Sequence, residues 1–282
     1  MPVPRDGAQR ASTGRSVRLA VVAITVSLAA LGGLATDPSP VAAAAGMKVV
    51  VVVGPAGSST AKYIANGRRY ASQARSYGAK VIELYSPNAT WTRVKAAAQG
   101  ANILVYLGHG NGSPSPYGAF SALTKDGLGL NASAGHGNYN VKYWGEYYIR
   151  TSIHLASNAV VILNHLCYAS GNSEWGAANP TRAVAMKRAD NFAAGFLRAN
   201  AKAVFAEGLD SASYLLSSLF RSNRTVGQIF MSAPSASGAR DFTFSSARTP
   251  GKRVWMDPVA PGRYYRSVVG SLSVTAASVR AS

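Results

Sequence analysis

The stretch "MKVVVVVGP", Met47–Pro55, sets five valines in a row between a lysine and a Gly-Pro stop. β-branched side chains favour the pleated strand, and an unbroken apolar run leaves no polar face to turn toward water. A strand of this kind must be covered on both sides. The rest of the chain supplies the cover. "GSSTAKYIANGRRYASQARSYG" predicts a helix, with Ser58, Ser59 or Thr60 as its cap and Gly78 as its stop. The strand patterns "AKVIELYSP", "ANILVYLGHG", "NAVVILNHLC" and "AKAVFAEG" then alternate with the helical patterns "NATWTRVKAAAQG", "VKYWGEYYIRTSIHLAS", "PTRAVAMKRADNFAAGFLRAN" and "SASYLLSSLFRSN". A Gly-rich insertion, residues 111–140, interrupts the series once. The expected class is α/β: a doubly wound, mainly parallel sheet with helices on both faces.

The chain begins differently. Residues 1–18 are polar and carry Arg5, Arg10, Arg15 and Arg18, and residues 19–35 are apolar. The small residues that follow offer an Ala-x-Ala exit near Ala42–Ala45. This is the pattern of a secretory signal peptide, expected over residues 1–44, with no stable membrane anchor after cleavage. An uncleaved anchor is the rival, and it wants about 20 apolar residues. Residues 45–240 then form one α/β domain. Residues 241–282, rich in Pro, Gly and Arg, read as a β-like appendage or a partly ordered tail. Lys and Arg number 29 against 11 Asp and Glu, a formal net of +18. The surplus is scattered, without a nucleic-acid motif or an aromatic-and-basic stripe. Nucleic acid is therefore not an expected partner, whereas anionic polymers of the cell surface are. The expected location is extracellular or cell-wall associated.

Neither nucleotide signature survives inspection. "GPAGSST" lacks the lysine of a phosphate loop, and no Gly-x-Gly-x-x-Gly follows the first strand. No cofactor is expected.

In open α/β sheets, sites gather at the carboxyl ends of the strands. Two strands end on unusual residues: "NILVYLGHGNG" on His109 and Gly110, and "VVILNHLCYASG" on Cys167, the chain's one cysteine. An exported chain usually pairs its cysteines, so a single one points to intermolecular pairing or a free reactive thiol. With His109 and Cys167 separated by 58 positions, room for an insertion and a helix, the two strands can be parallel neighbours. His109 would then take the thiol proton of Cys167 or stabilise its thiolate. The N–H groups of Gly110 and Cys167 would form an oxyanion hole. His165 lies two positions before Cys167, so on a continuing strand both face one way. It is a candidate to support the pair or to replace His109 as base, and Asn111 is a second supporting candidate. A metal held by His109, His165 and Cys167 lacks a fourth ligand, and none is expected.

An apolar strand ending in His-Gly, followed by one ending in Cys, resembles the caspase-like cysteine peptidase superfamily of caspases, legumains, clostripain and gingipains. "YLGHGNG" is most similar to the gingipain-type histidine block, and "LNHLCYASG" to the cysteine block of bacterial members. The resemblance covers strand order over residues 47–208, and its specific motifs cover about twenty residues. It implies a caspase-like fold, a flavodoxin-like three-layer sandwich, and protein or peptide substrates. It also implies roles for His109 as base, Gly110 as oxyanion donor and Cys167 as nucleophile. Leu166 departs from it, since many relatives carry a small or polar residue there.

The loop "AEGLDS" follows a strand expected beside that of Cys167, so Glu207 and Asp210 would overhang the site, with Glu174 a third carboxylate nearby. A carboxylate there would pair with an Arg or Lys side chain of the substrate. Gingipains and clostripain, which cleave after basic residues, imply the same. Alternatively Asp210 caps the next helix. The expected function is thus a secreted cysteine endopeptidase working through an acyl-thioester. The alternative is a catalytically silent relative that binds peptides or cell-surface polymers.

Overall fold

A computed structural model describes residues 46–282, and the expected signal segment lies outside the described residues. The valine run forms β1 (Lys48–Val53), followed by α1 (Thr60–Ser76), β2 (Lys80–Tyr85), α2 (Trp91–Ala98) and β3 (Ile103–Leu107). An antiparallel hairpin of β4 (Leu128–Asn131) and β5 (Val141–Trp144) comes next, then α3 (Glu146–Ser152), β6 (Val160–Asn164), α4 (Arg182–Arg198) and β7 (Ala203–Glu207). The chain ends with α5 (Ser213–Arg221), α6 (Val226–Phe230), β8 (Phe242–Ser245), β9 (Arg253–Met256), β10 (Arg266–Gly270) and α7 (Ala276–Arg280).

The main sheet has eight strands in the order β2-β1-β3-β6-β7-β10-β9-β8. The first five are parallel, and β10, β9 and β8 join antiparallel beyond β7. The period-2 alternation of the strands sorts the core into two layers. Val50, Val52, Leu104, Tyr106, Val161 and Leu163 face α2, α3 and α4 through Trp91, Ile149 and Phe192. Val49, Val51, Val53, Val105 and Ile162 face α1, α5 and α6 through Tyr70, Leu215 and Ile229. The class expected from the valine run is the class observed.

Two segments differ from the sequence reading. "VKYWGEYYIRTSIHLAS", expected as one helix, divides at Gly145 into β5 and α3. A β-carbon on Gly145 would press on the backbone of Ala122 and Lys125, so only glycine fits where the insertion turns into the helix. The four residues before it, Val-Lys-Tyr-Trp, have the β-branched and aromatic character that suits a pleated surface. The second differs from only one of its two expected forms: the segment from 241 onward is the appendage to the main sheet, not the partly ordered tail. It extends the sheet itself, and all of β10 is buried.

The β4–β5 hairpin decides where a site can lie. Strand order reverses between β1 and β3, and the crevice at such a reversal is the usual ligand site of this class. Here the hairpin occupies it. The fully buried Tyr106 hydroxyl donates to the carbonyl of Gly129 at 2.8 Å and accepts from its N–H at 3.0 Å. Gly54, at the end of β1, packs so closely on Gly129 that a β-carbon would collide with its carbonyl oxygen. The open edge is therefore displaced toward the ends of β3, β6 and β7.

Candidate active site

β3 and β6 are parallel neighbours, with Leu107 opposite Asn164 at their carboxyl ends. The residues that follow meet directly. A β-carbon on Gly110 would collide with the carbonyl oxygen of Cys167 and sit 3.1 Å from its amide nitrogen. Glycine at 110 is thus a condition of the two strand ends touching. The Tyr106 hydroxyl lies 3.1 Å from the carbonyl oxygen of His109 and fixes the backbone on the other side. Among the described residues, the N–H groups of Gly110 and Cys167 have no backbone acceptor, and both remain available.

β6 stops at Asn164 for a local reason. Its buried amide donates to the carbonyls of Glu207 and Asp210, both at 3.0 Å, and accepts from the Tyr70 hydroxyl at 2.7 Å. His165 follows with φ +59°, a left-handed turn rare for a residue with a side chain. This corrects the expected stacking of His165 and Cys167 on one strand face, because the strand has ended before either. The His165 ring instead lies over Tyr63, with centroids 6.3 Å apart, and its Nδ1 is 3.2 Å from the Gly208 carbonyl. It forms a wall of the site.

Cys167 is a half-buried free thiol that lines a cleft of about 570 Å³. Other lining residues include Tyr63, His165, Glu174, Gly208, Arg263 and Tyr265. Burial pushes the Cys167 thiol above its ordinary pKa, and the charge of Glu174 adds to the rise. His109 is exposed by area, yet enough protein crowds its ring to pull its pKa below the usual histidine value; Glu174 pulls the other way. At neutral pH both directions favour the uncharged thiol and the uncharged imidazole.

The expected carboxylates separate into three fates. Glu207, expected over the cleft, is 2% exposed and turned inward. It holds Arg266 at 2.9 Å, accepts from the Tyr214 hydroxyl at 2.9 Å, and accepts from the N–H groups of Leu209 and Asp210 at 3.0 Å. Asp210 neither reaches the cleft nor caps α5; its carboxylate accepts from Ser235 N–H at 3.0 Å and Oγ at 2.6 Å. Glu174 does line the cleft, and both its oxygens accept from the Tyr117 hydroxyl, at 2.7 and 2.8 Å. Asn111 supports the insertion rather than His109. Its Nδ2 donates to the Thr124 carbonyl at 2.9 Å and its Oδ1 accepts from Lys125 at 3.3 Å. Among the described residues no three His, Cys, Asp or Glu side chains converge as a metal site would require.

Sequence reasoning did not find Tyr63, Arg263 or Tyr265. Tyr63 reads as one more apolar position of α1, and the other two sit in the segment read as an appendage or tail. The one available signal was the β-like pattern "GRYYRSVVG" at the head of β10.

No family model matches the chain, and no curated protein matches it. Among solved structures it is similar to a secreted C11 cysteine protease from Bacteroides thetaiotaomicron, at 10% identity and TM-score 0.37 over 75% of this chain and 66% of that one. It is similar to the Arg-specific cysteine proteinase gingipain R at 14% identity and TM-score 0.35, over 82% of this chain and 61% of that one. A protein from Geobacter sulfurreducens matches at 13% identity and TM-score 0.32, over 66% of this chain and 86% of that one. The chain thus spans less than two thirds of the gingipain's length and about two thirds of the C11 protease's. Two of the three are cysteine proteases, the class the sequence resembles. All are distant, and the α/β fold stands on its own strand order and register.

Proposed function

We propose that the chain is an exported cysteine endopeptidase in which Cys167 is the nucleophile and His109 its base. One observation carries the reading: Gly110 packs on the backbone of Cys167, which brings the His-Gly end of β3 and the Cys end of β6 to one rim beside a cleft.

The chemistry follows from the two pKa directions. A neutral thiol beside a neutral imidazole calls for proton removal during attack rather than a standing thiolate. As Sγ bonds to the carbonyl carbon, His109 takes the thiol proton, and the N–H groups of Gly110 and Cys167 receive the negative oxygen. The C–N bond then breaks, the imidazolium returns the proton to the departing amine, and an acyl-thioester remains on Cys167. Water gives a proton to His109 as it attacks that thioester. The C–S bond then breaks, the carboxylic acid leaves, and the imidazolium returns its proton to Sγ to restore the thiol.

Export rests on the Arg-then-apolar leader, and among the described residues no helix is long and apolar enough to cross a membrane. The basic surplus favours a location near anionic cell-surface polymers. Of the carboxylates expected to receive a basic side chain, Glu174 alone remains in the cleft.

The test is covalent. A panel of peptidyl acyloxymethyl ketones is incubated with the purified protein, and the modified residue is identified by mass spectrometry. Labelling of Cys167 that His109→Ala slows at least tenfold is expected. A panel that leaves Cys167 unlabelled, or labels both proteins equally, overturns the dyad and favours the silent binding protein.

A further inference from the structure

The cleft carries one side chain of each charge, and their partners distinguish them. Glu174 has both oxygens engaged by Tyr117. Arg263, which also lines the cleft, has no carboxylate within ion-pair distance among the described residues. Its guanidinium lies over the Tyr265 ring, 5.2 Å from the centroid, and donates to the Tyr265 hydroxyl at 3.2 Å. Glu174 keeps its charge, and Arg263 is the cleft cation with N–H donors left over for a ligand.

Arg263 is also held in place. Its N–H donates to the Ala260 carbonyl at 3.0 Å, closing a turn in which Gly262 has φ +76°. A β-carbon on Gly262 would press on Asn179 at 3.1 Å, so this turn abuts the loop that carries Glu174. On the other side Tyr265 accepts from Gly208 N–H at 2.9 Å, and the Gly208 carbonyl meets His165. The wall runs without a break from the residue two before the thiol to the guanidinium. A scattered surface arginine has none of these supports. With one nitrogen on the Tyr265 hydroxyl, the guanidinium still has N–H donors on its others, and a planar donor group of this kind matches a carboxylate.

We propose that Arg263 is a specificity-determining residue and that its ligand is a carboxylate of the substrate peptide, borne by an acidic side chain or by the peptide's own C-terminus. The proposal rests on the peptidase reading for the word substrate, whereas the binding it describes does not need the thiol.

The experiment uses that independence. Full-length Cys167→Ala protein is titrated by calorimetry with four peptides: a Glu or Gln side chain, each with a free or an amidated C-terminus. The expected result is a preference of about tenfold or more for one acid over its amide, lost in Cys167→Ala/Arg263→Gln and partly kept in Cys167→Ala/Arg263→Lys. A preference for the Glu peptides assigns a side-chain carboxylate, and one for the free termini assigns a chain end. Equal affinities across the four, or a preference that survives Arg263→Gln, overturn the proposal. Wild-type protein with the same peptides separates the two readings. Acid-selective binding without Cys167-dependent cleavage supports the carboxylate site and ends the peptidase reading.

Discussion

Arg263 and Arg266 are three residues apart, and their surroundings are opposite. Arg266 is fully buried; it pairs with Glu207 and Asp257, donates to the Phe230 carbonyl, and lies over the Phe230 ring. Its two carboxylates in turn accept backbone N–H groups from Leu209, Asp210, Ser237 and Gly238. One buried cation thus ties together the loops after β7 and before β8, which stand behind the cleft wall. Arg263 faces the open side of that wall. The comparison teaches that charge in the sequence is not charge in the cleft. Glu207, which looked like part of a specificity pocket, is paired with a hidden cation, and a cation with donors to spare, Arg263, lines the cleft instead.

If this division holds, the rim sets the rate and the wall sets the stability. The largest effects belong to the rim. Cys167→Ala removes all thiol-dependent turnover, and His109→Ala lowers kcat by about 10²–10⁴, the range for loss of a general base. Both variants keep the wild-type urea midpoint. A His109→Ala protein with wild-type kcat, or with a lowered midpoint, breaks the comparison at its most exposed point.

Arg266→Met comes next. It leaves Glu207 and Asp257 as buried carboxylates without their cation, and removing one partner of a buried pair costs about 3–5 kcal/mol. Urea unfolding monitored by circular dichroism measures the loss. Arg263→Gln, on the exposed face, stays within about 0.5 kcal/mol of wild type. Equal losses at the two arginines would erase the distinction between the buried cation behind the wall and the free one on its face.

Gly110→Ala probes the place where the strand ends meet. The new methyl group collides with the Cys167 carbonyl, so one backbone must move. Overpacking of this kind costs about 1–3 kcal/mol, and the displaced N–H weakens oxyanion stabilisation besides. The expected reading is a fall in kcat larger than the fall in stability.

The legible part of this molecule is the part built from local pattern. β1, β3, β6 and β7 each read as an unbroken apolar run, because a strand covered on both faces has no polar alternative. Their parallel order followed from the helices between them, and it placed His109, Gly110 and Cys167 at one edge. The illegible part depends on long-range pairing. Whether Glu207 faces the cleft or the interior is decided by Arg266, 59 residues later, on a strand whose β-like pattern does not report its partner. Likewise the turn at His165 is set by Asn164 reaching across to β7, which a strand pattern cannot report.

The smallest expected effect tests Glu174, whose charge, among the described residues, acts on both members of the proposed dyad. Its carboxylate raises the pKa of His109 against the stronger lowering by burial, and it raises that of Cys167 along with burial. The rising limb of kcat/KM with pH reports loss of the His109 proton in the free protein. In wild type that limb lies below the ordinary histidine value of 6.5. Glu174→Gln removes a raising influence, so the limb moves to still lower pH. The pH dependence of iodoacetamide alkylation moves the same way, because the thiol loses a charge that held it protonated. Tyr117→Phe keeps the carboxylate and leaves both profiles closer to wild type. Alkylation whose rise with pH is already complete well below 6.5 would mean that the resting pair is an imidazolium and a thiolate, the thiol having lost its proton first. The neutral-pair mechanism would then be wrong, even with His109 and Cys167 correctly assigned.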